Sequence, residues 1–184
     1  RLNGEKAYVA TTVGHECVLG ASIARHADAT DLQEAYGHFK TEARNVQATY
    51  QPQTVNTDGW SGTQTAWQAL FPHIVLILCF LHGFLKIRDR CKRLKTHFQM
   101  ICTRVWETYH ATTAALFLTK VAELKVWATQ TLEPGPGLEA ILKLCDRAPA
   151  YAQTYEHPSA YRTSNMLDRQ MDRMDSVLLH GQIL

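Results

Sequence analysis

The stretch from residue 74 to residue 80 constrains the fold of this chain more than any other feature of its sequence. It is continuously apolar and lacks the polar alternation of a strand that has one face in water. A short run of this kind is typical of a strand buried on both faces of a sheet. The apolar segment 74–85 has 12 residues and includes His82, whereas a membrane span needs roughly 20. The sequence therefore predicts a core strand that leads into a helix.

Strand and helix patterns alternate before this run. Residues 7–13 and 17–24 predict two antiparallel strands, and residues 30–46 predict a helix because apolar side chains recur every three or four positions. Residues 55–57 predict a short strand, and residues 61–70 predict a second helix that ends before a proline. This order predicts an α/β protein with a ribonuclease-H-like mixed sheet.

The start of the chain carries a hairpin signal that lacks its first strand. Asn3-Gly4 is a strong two-residue turn signal, and only Arg1 and Leu2 precede it. We therefore expect the first strand of the sheet to be truncated and the chain to be a fragment.

Helical patterns alone follow residue 83. Between residues 83 and 105, apolar side chains step by three and four without a break, which predicts one coiled-coil-like helix of about seven turns. Further helices are expected over 116–127 and 138–145, and residues 148–161 resemble a loop. A last helix is expected to begin at residue 164 or 165.

Composition and charge favour a globular protein without indicating a partner. The chain has 46% hydrophobic and 20% charged residues and a formal net charge of +2, which is too small to indicate a nucleic-acid partner by itself. Its five cysteines are an odd number without a disulfide-type spacing, which favours reduced thiols and a cytoplasmic location. No signal peptide is visible.

Asp58 is the first candidate for chemistry, since it follows a predicted strand at the turn Gly59-Trp60. Carboxylates at strand ends can hold the pair of Mg²⁺ ions, roughly 3.5–4 Å apart, that catalyse phosphoryl transfer. An Asp-Gly dipeptide is also a common turn. Asp168 is the candidate second ligand, whereas Asp172 and Asp175 on the same predicted helix fit a solvated charged face better.

Two further groups of residues suggest contact with a polynucleotide. Cys79-x-x-His82 follows the buried strand; it lacks the other two ligands of a structural zinc site, and His82 could instead hydrogen-bond a phosphate. The basic run after it could grip a phosphate backbone or could simply be a solvated helix face; it contains Lys86, Arg88, Arg90, Lys92, Arg93 and Lys95. Trp60 could stack on a base, although packing is commoner.

These residues occur in segments that resemble a known family. The segments are Thr54-Val-Asn-Thr-Asp-Gly-Trp60, Thr65-Ala-Trp67, Leu70-Phe-Pro72, Ile77-Leu-Cys-Phe-Leu-His82, Leu85-Lys-Ile-Arg-Asp-Arg90 and Arg162-Thr-Ser-Asn-Met-Leu-Asp168. Together they resemble a DDE transposase of a bacterial insertion sequence, in the Mutator-like group.

The resemblance implies a ribonuclease-H-like catalytic core over 1–82, a helical insertion after the fifth strand over 83–160, and a final core helix over 161–184. It implies cleavage of transposon ends and strand transfer into target DNA, with Mg²⁺ or Mn²⁺ as cofactor. Asp58 matches the second acid, and Asp168 lies where the third acid is usually Glu. The first acid would lie upstream of Arg1, so this piece alone is expected to be inactive.

The resemblance also implies a homo-oligomer in the full-length protein, no membrane, and a cytoplasmic, nucleoid-associated location. One alternative is a catalytically dead transposase remnant that acts as a DNA-binding or assembly module. Another is a helical scaffold in which Asp58 and Asp168 lie far apart and are incidental.

Overall fold

The computed structural model describes residues 7–14 and 17–164 of the chain. Within them the protein is a mixed α/β structure that is mostly helical, with four strands and seven α-helices. The chain divides into two compact units, which comprise residues 1–76 with 164–184 and residues 77–163. We call them the first unit and the helical unit.

The first unit begins with an antiparallel hairpin. Strand β1, Tyr8–Gly14, pairs with strand β2, Cys17–Ala24, and the register places Tyr8 opposite Ala24. Helix α1, Ala29–Val46, covers one face of this pair. The packing is close at Gly20, where an added Cβ would lie 3.3 Å from the Cβ of Phe39.

The rest of the first unit contributes the other half of its core. Strand β3, Thr54–Thr57, pairs with strand β4, Val75–Leu78, of which only Val75 and Leu76 belong to the first unit. Helix α2, Ser61–Leu70, lies between the two strands in the chain. Helix α2 packs on α1. The shared core is aromatic, with rings from Tyr36, Phe39, Tyr50, Trp67 and Phe71 in mutual contact.

The helical unit contains helices α3 to α7 and one 3₁₀ turn. Their bounds are Phe80–Cys91 for α3, Lys95–Tyr109 for α4, Ala114–Thr131 for α5, Pro136–Asp146 for α6 and Ala148–Ala152 for α7, followed by the 3₁₀ turn Gln153–Tyr155. Their apolar faces meet in one core around the ring of Phe80, which is 2% exposed. That ring contacts the rings of Trp106, Tyr109, Phe117 and Tyr151.

The predicted single helix from residue 83 to residue 105 is wrong. Helix α3 ends at Cys91 and α4 begins at Lys95. The chain turns at Leu94, whose amide donates to the carbonyl of Cys91 at 2.9 Å. Leu94 still points into the core, where one of its methyl carbons lies 3.0 Å from the position of a Cβ added to Gly137. The apolar spacing therefore continues across a turn that contains no glycine or proline.

Two other expectations also need correction. The strand predicted over 74–80 is shorter, since β4 covers Val75–Leu78 and α3 begins at Phe80. The segment expected to be a loop over 148–161 begins with α7 and the 3₁₀ turn. Leu78, Cys79 and Phe80 are nonetheless all buried, as a core segment requires.

The α/β class is confirmed, but the finer sheet prediction is not shown. The four described strands form two separate two-stranded sheets, and no mixed sheet of ribonuclease-H type joins them in the described part of the chain. The predicted N-terminal hairpin at Asn3-Gly4 and all but the first residue of the predicted last helix lie outside the described residues. The domain boundaries predicted at residues 82 and 160 stay predictions.

No helix within residues 7–14 and 17–164 combines the length and the apolar character needed to cross a membrane.

Candidate functional site

Asp58 is an exposed carboxylate directly after β3. The preceding residue, Thr57, is 5% exposed, so the chain emerges from the core at this position. One carboxylate oxygen of Asp58 accepts a hydrogen bond from the backbone N–H of Trp60 at 2.9 Å. The other oxygen has no hydrogen bond among the residues that the structure describes. Asp58 therefore closes a turn with one oxygen and leaves the second available to a ligand.

The turn that presents Asp58 depends on two glycines. Gly59 has a φ of 86°, in the left-handed region where a side chain is strained. Gly62, at the start of α2, is buried, and a Cβ there would lie 3.0 Å from the carbonyl oxygen of Ala27. The sequence Asp-Gly-Trp-Ser-Gly thus fixes both the turn and the close packing of the helix that follows it.

The surroundings of Asp58 are aromatic on the protein side. Burial raises the pKa of the Tyr36 hydroxyl, and the negative charge of Asp58 adds a smaller contribution in the same direction. Trp60 is 50% exposed, so its ring is available to a ligand as well as to packing. Helix α2 begins just after Trp60 and has no side-chain cap, so its free N–H groups favour negative charge nearby.

The described residues do not supply all the carboxylate ligands that a pair of metal ions at Asp58 would need. Two Mg²⁺ ions require several carboxylates in one place, and Asp58 belongs to no group of three potential ligands in the described part of the chain. Asp168, predicted as the second ligand, lies outside the described residues, as do Asp172 and Asp175. The convergence of Asp58 and Asp168 therefore stays a prediction.

Another carboxylate group, formed by His26, Asp28 and Asp31, has a structural explanation. Its ligand atoms lie within 4.8 Å of one another. Asp28 caps α1, because its carboxylate accepts a hydrogen bond from the backbone N–H of Asp31. The Asp31 carboxylate in turn is hydrogen-bonded to the backbone N–H and to the ring nitrogen Nδ1 of His26, each at 2.9 Å. The hydrogen bond from the His26 ring lowers the pKa of Asp31. The cluster is exposed, and these bonds account for its geometry.

Cys79 and His82 lie at the start of α3, directly after β4 ends at Leu78. Cys79 is 1% exposed and is the N-cap residue of α3, although its side chain does not cap the helix. His82 lies in the first turn and is partly exposed. Both residues belong to the helical unit, whereas Asp58 belongs to the first unit. That His82 acts beside Asp58 stays a prediction.

The predicted basic stripe is divided between two helices. Lys86, Arg88 and Arg90 lie on α3, whereas Lys92 and Arg93 lie in the following turn and Lys95 begins α4. All are exposed except Arg88, which is partly exposed.

Asp89 neutralises part of this stripe. Its carboxylate pairs with Lys92 at 2.8 Å and with Arg88 at 3.5 Å. The hydrogen bond from Lys92, followed by smaller effects of the same two cations, lowers the pKa of Asp89. Lys86 and Arg90, four residues apart on one face of α3, have no ion pair among the described residues.

Sequence reasoning missed an aromatic groove at the end of α4. The groove is open, has a volume of about 460 Å³, and is lined by Thr103, Trp106, Glu107, Tyr109 and His110. The signal was present, because Trp106, Tyr109 and His110 are three and four residues apart on one helix face. The same spacing is expected of core residues, so it did not single out a groove.

Arg162 contacts Tyr109, one of the residues that line this groove. Its guanidinium lies between two rings, 4.4 Å from the centroid of Tyr109 and 4.8 Å from that of Tyr155. It also donates to the Tyr155 hydroxyl at 2.9 Å, and its carbonyl accepts the N–H of Phe80 at 3.1 Å. The arginine of the motif Arg162-Thr-Ser thus fixes the end of the helical unit to the start of α3.

No family model matches this chain, and neither does any curated protein. No solved structure matches its fold.

Proposed function

We propose that this chain is part of the catalytic core of a DDE-type transposase and that Asp58 is one of its metal-binding carboxylates. The proposed fold is ribonuclease-H-like, with the helical unit as the insertion. In this proposal Asp168 and a further acid complete the metal site with Asp58, and His82 assists at the scissile phosphate. The partners are transposon-end and target DNA.

The observation that carries the proposal is the presentation of Asp58. Its carboxylate is exposed at the end of β3, one of its oxygens is unengaged among the described residues, and a left-handed glycine follows it. A metal ligand at a strand end needs this combination of a fixed backbone and an accessible oxygen. The resemblance of residues 54–90 to the transposase family adds support, because Asp58 stands at the position of the family's second acid.

The experiment uses Mn²⁺ as a paramagnetic probe in place of Mg²⁺. We expect Mn²⁺ to broaden the backbone NMR signals around residues 57–60, and we expect Asp58→Asn to weaken binding at least about tenfold, a change equivalent to about 1.4 kcal/mol. Asparagine keeps an oxygen that can accept the N–H of Trp60, so the turn remains while the charge is lost.

Asp28→Asn is the matched control. Asp28 is also exposed and also accepts a backbone N–H at 2.9 Å with one carboxylate oxygen, a bond that asparagine can accept as well. We expect Asp28→Asn to leave Mn²⁺ binding at residues 57–60 unchanged. Broadening that survives Asp58→Asn, or that centres on His26 and Asp31 instead, contradicts the role of Asp58.

A second candidate function is a DNA-binding module without catalysis. The observation that favours it is the exposed pair Lys86 and Arg90, which lies on one face of α3 and has no ion pair among the described residues. Such residues bind a phosphate backbone by releasing counterions, and this requires no carboxylate. In this case DNA binding is retained while Mn²⁺ binding at Asp58 is absent.

Fluorescence anisotropy with duplex DNA at several salt concentrations tests this candidate. Replacing Lys86 and Arg90 by Gln should weaken binding and reduce the slope of log K against log salt by about 2. The control replaces Lys143 and Arg147, which are exposed on and just after α6, by Gln. Equal losses in the two double variants would indicate that only net charge matters and would exclude a specific α3 surface.

A further inference from the structure

The aromatic groove at the end of α4 presents three rings that do not lie in one plane. The ring centroids of Trp106 and Tyr109 are 5.0 Å apart with the planes at 73°, and those of Tyr109 and His110 are 5.6 Å apart at the same angle. The planes of Trp106 and His110 differ by only 33°. Because the Tyr109 ring stands across the other two, a flat ligand can stack in only one of these orientations, whereas a compact, rounded group can contact both.

The two larger rings of the groove are held in place by the helical core. Trp106 packs against Phe84 and Phe80, with ring centroids 4.7 Å and 6.2 Å away, and Tyr109 packs against Phe80 at 5.2 Å. The guanidinium of Arg162 contacts the ring of Tyr109 as well. These contacts fix both ring orientations before a ligand arrives, and a preorganised site loses less conformational entropy on binding.

Glu107 gives the groove a negative charge that no described residue neutralises. Its carboxylate is exposed and has no ion pair or hydrogen bond in the part of the chain that the structure describes. Arg104, one turn earlier on α4, lies 4.7 Å from the centroid of the Trp127 ring instead. The face of an aromatic ring is also electrostatically negative, so rings and a carboxylate together attract a cation.

The end of α4 adds a second negative contribution at the same place. The helix ends at Tyr109 with His110 as its C-cap, and its last turn contains no basic residue. The last carbonyl groups of a helix carry partial negative charge, which stabilises a cation nearby. Arg162 contacts Tyr109, but it does not line the groove, and it donates to the Tyr155 hydroxyl. The groove itself therefore favours positive charge.

Shape and charge together indicate a class of ligand. Glu107 and the helix end disfavour a phosphate-bearing ligand such as DNA, and one carboxylate is too few to hold Mg²⁺ or Ca²⁺. An unsubstituted ammonium group is strongly hydrated, whereas one that carries methyl groups keeps its charge and presents apolar surface to the rings. The groove volume of about 460 Å³ lies within the range of ordinary ligand sites, about 300–1,000 Å³.

We propose that this groove binds a quaternary or methylated ammonium group, through cation–π contact with Trp106 and Tyr109 and the charge of Glu107. Free choline-like cations and the methylated lysine side chains of a peptide share this chemistry, and the open groove admits either. This inference does not depend on the proposed transposase activity. Because solvent reaches the groove, we expect a weak site with a Kd of about 1 mM.

An NMR titration of the isotope-labelled chain with choline tests the site, with the indole N–H signal of Trp106 as readout. The control ligand is the uncharged analogue in which a carbon atom replaces the quaternary nitrogen of choline. We expect choline to give a saturable shift and the analogue to bind at least about tenfold more weakly. The absence of a saturable shift, equal binding of the analogue, or tighter binding of a nucleoside monophosphate at the same signal would overturn the proposal.

Two substitutions with matched controls test the residues. Glu107→Gln removes the charge and keeps the shape, so we expect choline to bind at least about fivefold more weakly, whereas Glu123→Gln, at an exposed residue of α5, should have no effect. Thr103→Lys places an ammonium group one turn from Glu107 and should abolish binding. Gln99→Lys adds the same charge one turn earlier on α4, outside the groove, and should leave binding unchanged. Equal effects of variant and control in either pair overturn the proposal.

A peptide that contains trimethyllysine distinguishes the two sources of the ligand. Tighter binding of this peptide than of choline supports a methylated side chain, and equal binding supports a free cation. The same peptide with unmodified lysine is the control. Equal affinity of the methylated and the unmodified peptide would contradict the role of the methyl groups and would overturn the proposal.

Discussion

The two units of this protein differ in the size of their cores and in what those cores hold in place. The core of the helical unit contains 18 buried residues, against 11 in the first unit, among the described residues. The smaller core carries Asp58 on a turn set by local sequence, whereas the larger one has its aromatic residues centred on Phe80. Apolar burial dominates folding stability, so we expect the loss of a core residue to destabilise mainly the unit whose core contains it.

The largest expected effect comes from removing the centre of the helical core. Phe80→Ala deletes a ring that is 2% exposed and contacts four others, and such deletions cost about 3–5 kcal/mol. We expect amide hydrogen exchange to accelerate throughout residues 80–155, while residues 29–70 keep their protection. Trp67→Ala, in the aromatic core of the first unit, should give the reverse pattern. If either substitution accelerates hydrogen exchange equally in both units, the two units unfold together and do not have separate cores.

A smaller effect is expected where helices of the helical unit approach closely. A Cβ added at Gly83 would lie 2.6 Å from the Tyr151 hydroxyl and 3.2 Å from a methyl carbon of Leu144. We expect Gly83→Ala to lower the free energy of unfolding by about 1–3 kcal/mol in urea titration. Gly135→Ala is the control, since nothing lies within 4 Å of its added Cβ. If Gly83→Ala leaves the free energy of unfolding unchanged, α3 can shift away from Tyr151 and Leu144 without loss of stability, which contradicts close packing at this position.

The smallest expected effect is a difference in alkaline stability. Burial raises the pKa of Cys91 and of Cys145 from 9.0 to about 11, and both thiols belong to the helical unit. Because the folded state holds these protons more tightly, their contribution to stability is present below pH 9 and is lost as the pH rises towards 11. Burial also raises the pKa of Tyr36 and Tyr50 in the first unit, but from 10.0.

Urea titrations at pH 8, 9 and 10 measure this difference. We expect the free energy of unfolding of the helical unit to begin falling near pH 9, about one pH unit before that of the first unit. Cys91→Ala should lower stability at every pH by leaving a cavity, and it should also flatten the pH dependence between 9 and 10. A pH dependence identical to that of the parent chain would show that the Cys91 thiol does not carry the effect.

Local signals in the sequence predicted the first unit well. Helix α2 covers the predicted residues 61–70, β2 covers the predicted residues 17–24, and α1 begins within one residue of its predicted start. The turn after β3 followed from Gly59, since only a residue without a side chain adopts its φ of 86° without strain. These features were predictable because the cause of each lies within a few residues of its effect.

The helical unit shows where sequence patterns stop being sufficient. The turn between α3 and α4 contains no breaker residue, and Leu94 faces the same core as the residues before and after it. Apolar periodicity reports only which side chains face a core, so it cannot distinguish one helix from two that share that core. The sequence did not predict the aromatic groove at Trp106 for the same reason, because residues that line a groove and residues that fill a core have the same spacing on a helix.

The candidate site also combines features that the sequence predicted with features that only the structure shows. Sequence identified Asp58 and its turn, and the structure added that one carboxylate oxygen is engaged by Trp60. Sequence also identified the basic residues of the α3 region, but it did not predict that Asp89 would pair with Lys92 and Arg88, whereas Lys86 and Arg90 of α3 have no ion pair among the described residues. Both pairs join residues within three positions of each other, so which basic residue Asp89 engages depends on local side-chain directions that the sequence does not specify.

The amino-acid sequence by itself determined the helical and extended segments of the first unit, the glycine-dependent turn at Asp58 and the burial of residues 78–80. Only the tertiary structure decided that the four described strands form two separate pairs and that α3 and α4 are distinct helices. The physical reason is the distance along the chain over which each effect acts. Residue propensities, turns and apolar periodicity act within about one helical turn. The pairing of strands and the exposure of a helix face depend instead on which distant segment packs beside them.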